Sequence, residues 1–346
     1  MRILVTGGAG YIGSITVRTL LDAGHEVVVI DSLERGHAEA VDPRAELVIA
    51  PVGHKGALDS VLHGVDAVMH LAGLIEVAES QSEPARYIDA NVAQPSVMLQ
   101  AMIEHGVKAI VFSSTAAVYG EPEQVPIPED APTRPINAYG LSKLAFEHLL
   151  EWAAVTHGVH SVRFRYFNVA GAWPDGSLGE AHSPETHIVP RALDAIYRGE
   201  PFTVFGNDYP TPDGTCVRDY IHVCDLADAH RLALEDLGAI GTRGVGAVSG
   251  ASASPAVGAA AESRVYNLGN GEGFSNLEVV RACAAAVGRE VNVSLGARRP
   301  GDPARLVASS EAARRDLGWT PARADLASMM TDAWRWHVMH PDGYGS

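Results

Sequence analysis

Tyr139 and Lys143 stand four residues apart, and a Ser113-Ser114-Thr115 run precedes them. On a helix that spacing puts both side chains on one face. A free phenol, with a pKa of about 10, is a poor base at neutral pH. An ammonium group one turn away favours the phenolate. Lowering the phenol by ~3 units requires ~4 kcal/mol of differential stabilisation. A partly solvated lysine would not supply all of it, and a second fixed positive charge would add to it. Thr115 could hydrogen-bond a substrate hydroxyl and orient it toward Tyr139 for proton transfer. Any helix can carry Tyr-x-x-x-Lys by accident, so the pair gains meaning only from its surroundings.

Those surroundings are ordered. Lys108-Ala109-Ile110-Val111-Phe112 is a short apolar, β-rich run that reads as a buried strand. It would deliver Ser113, Ser114 and Thr115 to its carboxyl end. A proline-rich loop spans 121–135, and a helix opens at Tyr139 with Leu144, Phe146, Leu149 and Leu150 as its apolar partners.

At the start of the chain, Arg2-Ile3-Leu4-Val5-Thr6 predicts a strand, and Gly8, Gly10 and Gly13 follow at GxGxxG spacing. A helix is expected from Tyr11 to Ala23 and a second strand over Glu26-Val27-Val28-Val29-Ile30. Strand, glycines and helix in this order form a dinucleotide-binding turn: the backbone can approach a pyrophosphate, and the helix N-terminus faces it. Asp31 stands near the ~20-residue offset of the carboxylate that binds a ribose 2′-hydroxyl. An acid there repels a 2′-phosphate, so NAD is expected rather than NADP. Its oxidised nicotinamide ring would be the second positive charge beside Tyr139.

Further strands are expected at Leu47-Val48-Ile49 and Asp66-Ala67-Val68-Met69-His70, each separated from the next by a helical stretch. Alternation of this kind means a parallel, doubly wound sheet. His70 reads as structural. The fold class is therefore α/β, a Rossmann sheet with a smaller C-terminal α/β substrate domain. The dinucleotide domain is expected over 1–165, with 219–236 and 264–275 returning to it, and the substrate domain mainly over 166–346. Residues 237–261 are rich in glycine, alanine and serine, and read as a flexible insertion. Helices are expected over 276–287, 310–317 and 326–337.

Composition narrows the functional class. The 346 residues carry 26 Lys and Arg against 42 Asp and Glu, a net charge of −16. So acidic a chain is unsuited to non-specific nucleic-acid or anionic-membrane binding, and no apolar run reaches transmembrane length. An anionic substrate then needs local arginines. Arg218, Arg298 and Arg299 can offer planar forks to phosphate oxygens. Three cysteines, Cys216, Cys224 and Cys283, form no CxxC pair and fit a reducing cytoplasmic compartment. Fifteen scattered histidines with no HExxH suggest no metal.

Several longer segments carry a resemblance. They are Val5-Thr6-Gly7-Gly8-Ala9-Gly10-Tyr11-Ile12-Gly13-Ser14, Ala72-Gly73-Leu74, Phe112-Ser113-Ser114-Thr115-Ala116-Ala117-Val118-Tyr119-Gly120, and Tyr139-Gly140-Leu141-Ser142-Lys143. Arg165-Tyr166-Phe167-Asn168-Val169-Ala170-Gly171-Ala172, Phe205-Gly206-Asn207-Asp208-Tyr209-Pro210 and Gly214-Thr215-Cys216-Val217-Arg218-Asp219-Tyr220-Ile221-His222-Val223 continue them. The chain resembles the extended short-chain dehydrogenase/reductase family, and more closely its UDP-glucose 4-epimerase branch.

The resemblance implies inversion at C4 of a UDP-hexose through a transient 4-keto sugar. Tyr139 would be the acid/base, assisted by Thr115 and Lys143. It implies NAD held by Gly7, Gly10, Tyr11, Ile12, Gly13, Asp31, Ser32, Leu33, Leu71, Ala72, Gly73, Asn91, Ser113, Tyr139, Lys143 and Phe167. Substrate would meet Thr115, Asn168, His187 and Ile188. Thr203, Val204 and Phe205 would line a uridine pocket, Arg218 and Arg299 would meet the phosphates, and Asp302 the uridine ribose. A cytoplasmic homodimer, assembled through two helices per subunit, is also implied.

Four positions depart from that family's pattern. Ala50-Pro51-Val52-Gly53 stands where an acid contacts adenine; Ile75 replaces a common lysine, and Ile15 a frequent histidine. Weaker NAD retention follows. Leu306 replaces a bulky tyrosine of some members, which suggests room for a C2 N-acetyl group and activity on UDP-N-acetylhexosamines. The other readings are a 4,6-dehydratase, a net dehydrogenase and a catalytically silent NAD sensor. A dehydratase needs an acidic pair where Ala116-Ala117 stands, a net dehydrogenase would release NADH, and a silent sensor would have no use for an intact Thr115, Tyr139 and Lys143.

Overall fold

The computed structural model describes residues 1–243, 261–298 and 303–345. In chain order the first half comprises β1 (Arg2–Thr6), α1 (Tyr11–Asp22), β2 (Glu26–Asp31), β3 (Glu46–Ile49), α2 (Lys55–Val61), β4 (Ala67–His70), α3 (Val77–Ser82), α4 (Pro84–Ile88), α5 (Gln94–Glu104), β5 (Ala109–Thr115), α6 (Ala138–His157) and β6 (His160–Tyr166). The second half comprises β7 (Asn168–Ala170), α7 (Ile188–Arg198), β8 (Phe202–Phe205), β9 (Val217–Arg218), β10 (Tyr220–His222), α8 (Val223–Arg243), β11 (Ser263–Leu268), β12 (Phe274–Ser275), α9 (Asn276–Val287), β13 (Val293–Gly296), β14 (Arg305–Leu306), α10 (Glu311–Leu317) and α11 (Leu326–Met339).

Seven strands form one parallel sheet in the order β11-β6-β5-β4-β1-β2-β3. Their side chains alternate between two cores, as the pleat requires. Ile3, Val5, Val29 and Val111 face a core shared with α1 and α8, whereas Leu4, Val28, Ile30 and Ile110 face one shared with α2, α5 and α6. Both faces are covered, which is why these strands read as continuous apolar runs. The strand order reverses between β1 and β4. There the loops leaving the carboxyl ends diverge and open a crevice.

The smaller lobe packs α7, α9 and α11 around Ile196, Phe202, Val204, Val280 and Met330. Three short sheets, β7–β10, β12–β9–β14 and β8–β13, line its junction with the large sheet or brace its outside. Asp219 holds this seam. Its carboxylate accepts backbone N–H bonds from Asn270 at 2.7 Å, Ala308 at 3.0 Å and Gly271 at 3.1 Å.

Two sequence expectations change. Residues 237–243 do not belong to a loop: α8 continues through them to Arg243, with Leu237 buried against the large core. Local composition favoured a linker, but tertiary burial decides otherwise. The remainder of the expected insertion, 244–260, lies outside the described residues. Ile15 faces no cofactor crevice; it is fully buried in a cluster with Tyr11, Leu178 and Val223. Among the described residues no helix is long and apolar enough to cross a membrane.

Candidate active site

A cavity of about 1140 Å³ occupies the switch-point crevice and extends toward the smaller lobe. Its wall includes Gly7, Gly10, Tyr11, Ile12, Gly13, Asp31, Ser32, Leu71, Ala72 and Gly73 at one end. Ser113, Thr115, Tyr139, Phe167, Asn168, His187, Ile188 and Arg218 line the rest.

The glycine turn is dictated by contact. A Cβ on Gly13 would lie 1.9 Å from the Gly7 carbonyl oxygen, and one on Gly7, whose φ is +74°, would lie 2.5 Å from the Ala72 nitrogen. No side chain caps the N-terminus of α1, and its first turn carries no acid. The amides of Tyr11, Ile12 and Gly13 are thus left toward the cavity, a cradle fitted to a diphosphate. At the end of β2, Asp31 accepts from Ala9 N at 3.0 Å and Leu33 N at 2.9 Å. Each carboxylate oxygen keeps capacity for a further donor, such as a ribose hydroxyl. These residues fit NAD.

Gly140 brings the reacting residues together. A Cβ there would meet the Ala117 carbonyl oxygen at 2.6 Å, so only glycine lets α6 approach the turn after β5 this closely. Asn137 caps α6 by accepting from Gly140 N at 2.7 Å, which sets Tyr139 in the first turn. Tyr139 then hydrogen-bonds Thr115. Further along α6, buried Glu147 accepts from Arg165 Nε at 3.0 Å and Nη2 at 2.6 Å and also bonds Ser114. This locks the rotation of the helix against β5 and β6.

Lys143 behaves differently from expectation. It is buried, 2% exposed, and donates to the Ser113 carbonyl at 3.1 Å. Burial lowers its pKa to about 8. Burial likewise raises the Tyr139 phenol above its ordinary value; the Thr115 hydrogen bond lowers it in part and the Glu76 charge raises it again. The lysine's spacing therefore does not by itself produce a phenolate: the desolvation that strengthens charge interactions also opposes the charged form.

Other expected residues separate. Asn91 lies behind the wall, where its side chain bonds the backbone of Leu74 and the Ser142 hydroxyl and pins the loop after β4 to α6. Leu33 supports Asp31 through its amide rather than lining the cavity. Thr203, Val204 and Phe205 are not on the described wall: Thr203 bonds Ser294 at 2.7 Å, Val204 is buried in the small-lobe core, and Phe205 packs on Gly296. Strand alternation in β8, paired with β13, directs them there. Arg299 and Asp302 lie outside the described residues. His70 is buried and meets Thr6 Oγ1 at 2.6 Å.

Sequence reasoning missed several wall residues. Tyr166 lines the cavity and bonds Ser113. Glu180, His182 and Glu185 converge on His187. A signal for the latter existed: Glu180, His182, Glu185 and His187 fall within eight consecutive residues, an acid–histidine alternation hidden by treating the histidines as scattered.

A Rossmann sheet whose switch point carries a glycine cradle, with an acid at the end of its second strand, defines a dinucleotide-binding protein. The chain belongs to the NAD dependent epimerase/dehydratase family, whose model matches residues 3–245. It is 48% identical to UDP-glucose 4-epimerase of Lacticaseibacillus casei over 348 residues, covering 100% of this chain and 99% of the relative. A crystal structure of UDP-glucose 4-epimerase superposes with a TM-score of 0.91 at 42% identity, covering all of both chains. The UDP-glucose 4-epimerase of Brucella ovis in complex with NAD superposes at 0.88 with 39% identity, covering 97% of this chain and 98% of that one.

Proposed function

We propose that this chain interconverts UDP-glucose and UDP-galactose by NAD-dependent inversion at C4. The observation that carries the reading is the Thr115–Tyr139 hydrogen bond, set in the same cavity as the glycine cradle. NAD, when bound, supplies reversible oxidation of C4 through a transient 4-keto sugar. Gly7, Gly10, Tyr11, Ile12 and Gly13 would hold its diphosphate, and Asp31 its adenine ribose. Asp31 also disfavours a 2′-phosphate.

Tyr139 removes the proton of the C4 hydroxyl and returns it, while Thr115 orients that hydroxyl. Lys143 holds the backbone at Ser113 and adds a positive charge near the phenol. Asn168 and Arg218 anchor the UDP diphosphate, with Arg299 and Asp302 assigned by resemblance. Anchoring UDP while leaving the hexose loosely held lets the keto sugar present its other face. Phe167, His187 and Ile188 bound the space in which it turns.

A second reading rests on Leu306. It lines the cavity with Pro303 and leaves more room than an aromatic ring, so UDP-N-acetylhexosamines are proposed as additional substrates. Incubation with UDP-glucose, UDP-galactose and their N-acetyl counterparts, followed by product identification, tests both readings. No 4-epimer from any of the four overturns the function. Turnover of the plain sugars alone overturns the second reading.

A homodimer is proposed through α5 and α6, which expose Val97, Leu141, Trp152 and Val155. The three cysteines are buried and form no disulfide, which suits a reducing cytoplasm.

A further inference from the structure

The loop from Glu180 to His187 forms one wall of the cavity and is tied to both halves of the molecule. Trp336 Nε1 donates to the Glu180 carbonyl at 2.9 Å and Arg35 to that of Ser183 at 2.8 Å. His37 Nε2 meets the Ala181 carbonyl at 2.8 Å, and Thr186 donates to Glu76 at 2.8 Å. Inside this loop four side chains turn toward one another. One possible ligand atom from each of Glu180, His182, Glu185 and His187 lies within 4.8 Å of all the others.

The spacing is compatible with a coordination shell as well as with a set of paired ions. His187 Nδ1 is 2.7 Å from Glu180 Oε1 and 3.3 Å from Glu185 Oε1. His182 Nδ1 is 3.1 Å from Glu180 Oε1 and 3.7 Å from Glu185 Oε2. In a tetrahedral site with bonds of ~2.0–2.1 Å, neighbouring ligand atoms are about 3.3 Å apart. The four observed N···O separations, which draw on Glu180 Oε1 and on both oxygens of Glu185, bracket that value. Moreover, the buried His187 Nδ1 forms no hydrogen bond despite its two close carboxylate oxygens. Neither oxygen lies along its N–H direction, whereas His182 Nδ1 does hydrogen-bond Glu180 Oε1 at 3.1 Å and Glu185 Oε1 accepts from the His187 amide at 2.8 Å.

We infer that Glu180, His182, Glu185 and His187 bind a divalent transition-metal ion, with zinc best suited to two imidazoles and two carboxylates. Four protein ligands make a closed, structural site. The ion would fix the wall that carries His187 and Ile188 into α7, and it takes no part in proton transfer at Tyr139. Its charge balances the two carboxylates, as two protonated histidines would without it. Burial disfavours those imidazolium forms, but Glu180 and Glu185 outweigh it and hold His182 at about 9 and His187 at about 11. The competing state is therefore a metal-free ion-pair cluster.

The test uses the full chain, stripped with a chelator and titrated with Co²⁺. One saturable equivalent per chain, with the intense visible bands of a four-coordinate ion and displacement by Zn²⁺, is expected. Glu180→Gln and His182→Gln, each checked for native circular dichroism, should weaken binding by more than the ~10–100-fold typical of changes outside the ligand shell. X-ray absorption on the zinc-loaded wild type needs no variant and should report two imidazoles bound to the metal. Failure of the wild type to bind Co²⁺ in this way, equal binding by the folded variants, or a zinc shell without imidazole would each overturn the site.

Discussion

Lys143 donates its 3.1 Å hydrogen bond to the carbonyl of Ser113, not to the phenol one turn away. The lysine thereby ties α6 to the end of β5. Burial raises the Tyr139 pKa, and the positive charge of an oxidised nicotinamide beside it would lower it. Ultraviolet difference titration of wild type against Tyr139→Phe should place the extra ionisation above pH 10 without NAD and shift it downward when NAD is added. No shift on adding NAD would contradict a charge-assisted phenolate.

Tyr139→Phe removes the proposed proton carrier and little else. Turnover should fall by ~10²–10⁴-fold, the usual contribution of a positioned acid/base. The dissociation constant for UDP-glucose, read by calorimetry, should stay within a few-fold of wild type. A comparable loss of binding would point to a structural role.

Ala50, Pro51 and Val52 line the cavity and present no carboxylate there. NAD should therefore leave the protein on exhaustive dialysis, leaving less than full occupancy by absorbance or mass spectrometry. Pro51→Asp should strengthen binding about fivefold if one typical hydrogen bond of ~1 kcal/mol is gained. Full retention by the wild type would refute the argument.

Three histidines are buried in the neutral form. Burial depresses His70 to about 3, His222 to about 4 and His230 to about 4, with Lys143 and Arg323 adding to the effect at the first two. Their folded pKa values lie below the unfolded value of ~6.5, so protons bind preferentially to the unfolded chain. The stability present above that pH is lost as pH falls toward the folded values. One unit below it, each costs up to ~1.4 kcal/mol, about 4 kcal/mol together. Urea midpoints should drop steeply between pH 7 and 5, and His70→Gln should flatten the slope by about one proton.

Trp152 is 67% exposed and Val155 78% exposed on α6. Apolar groups this open on one helix are what motivates the proposed dimer face. Trp152→Asp should convert a dimer to monomer by light scattering at micromolar concentration. A monomeric wild type would remove the proposal.

The glycine turn, Asp31 and the Tyr139–Lys143 spacing were legible because each is local: backbone approach, strand ends and helical periodicity are written in neighbouring residues. The surroundings of Thr203, Val204 and Phe205 were not legible because strand pairing with β13 decides which way they point, and that partner is remote in sequence. The burial of Lys143 was not legible, because spacing does not reveal that a lysine expected to be partly solvated is only 2% exposed. The 237–243 stretch was read as linker because its small residues hide the helix that α1 and the sheet stabilise.

The placement of β11 beside β6 has a consequence for synthesis. β6 leaves the ribosome about a hundred residues before its outer neighbour, so at ~5–20 residues per second its edge stays unpaired for roughly 5–20 s. During that interval a row of open amides and carbonyls is available to other nascent chains. The yield of native enzyme in a cell is set in part by whatever shields that edge until residues 263–268 arrive.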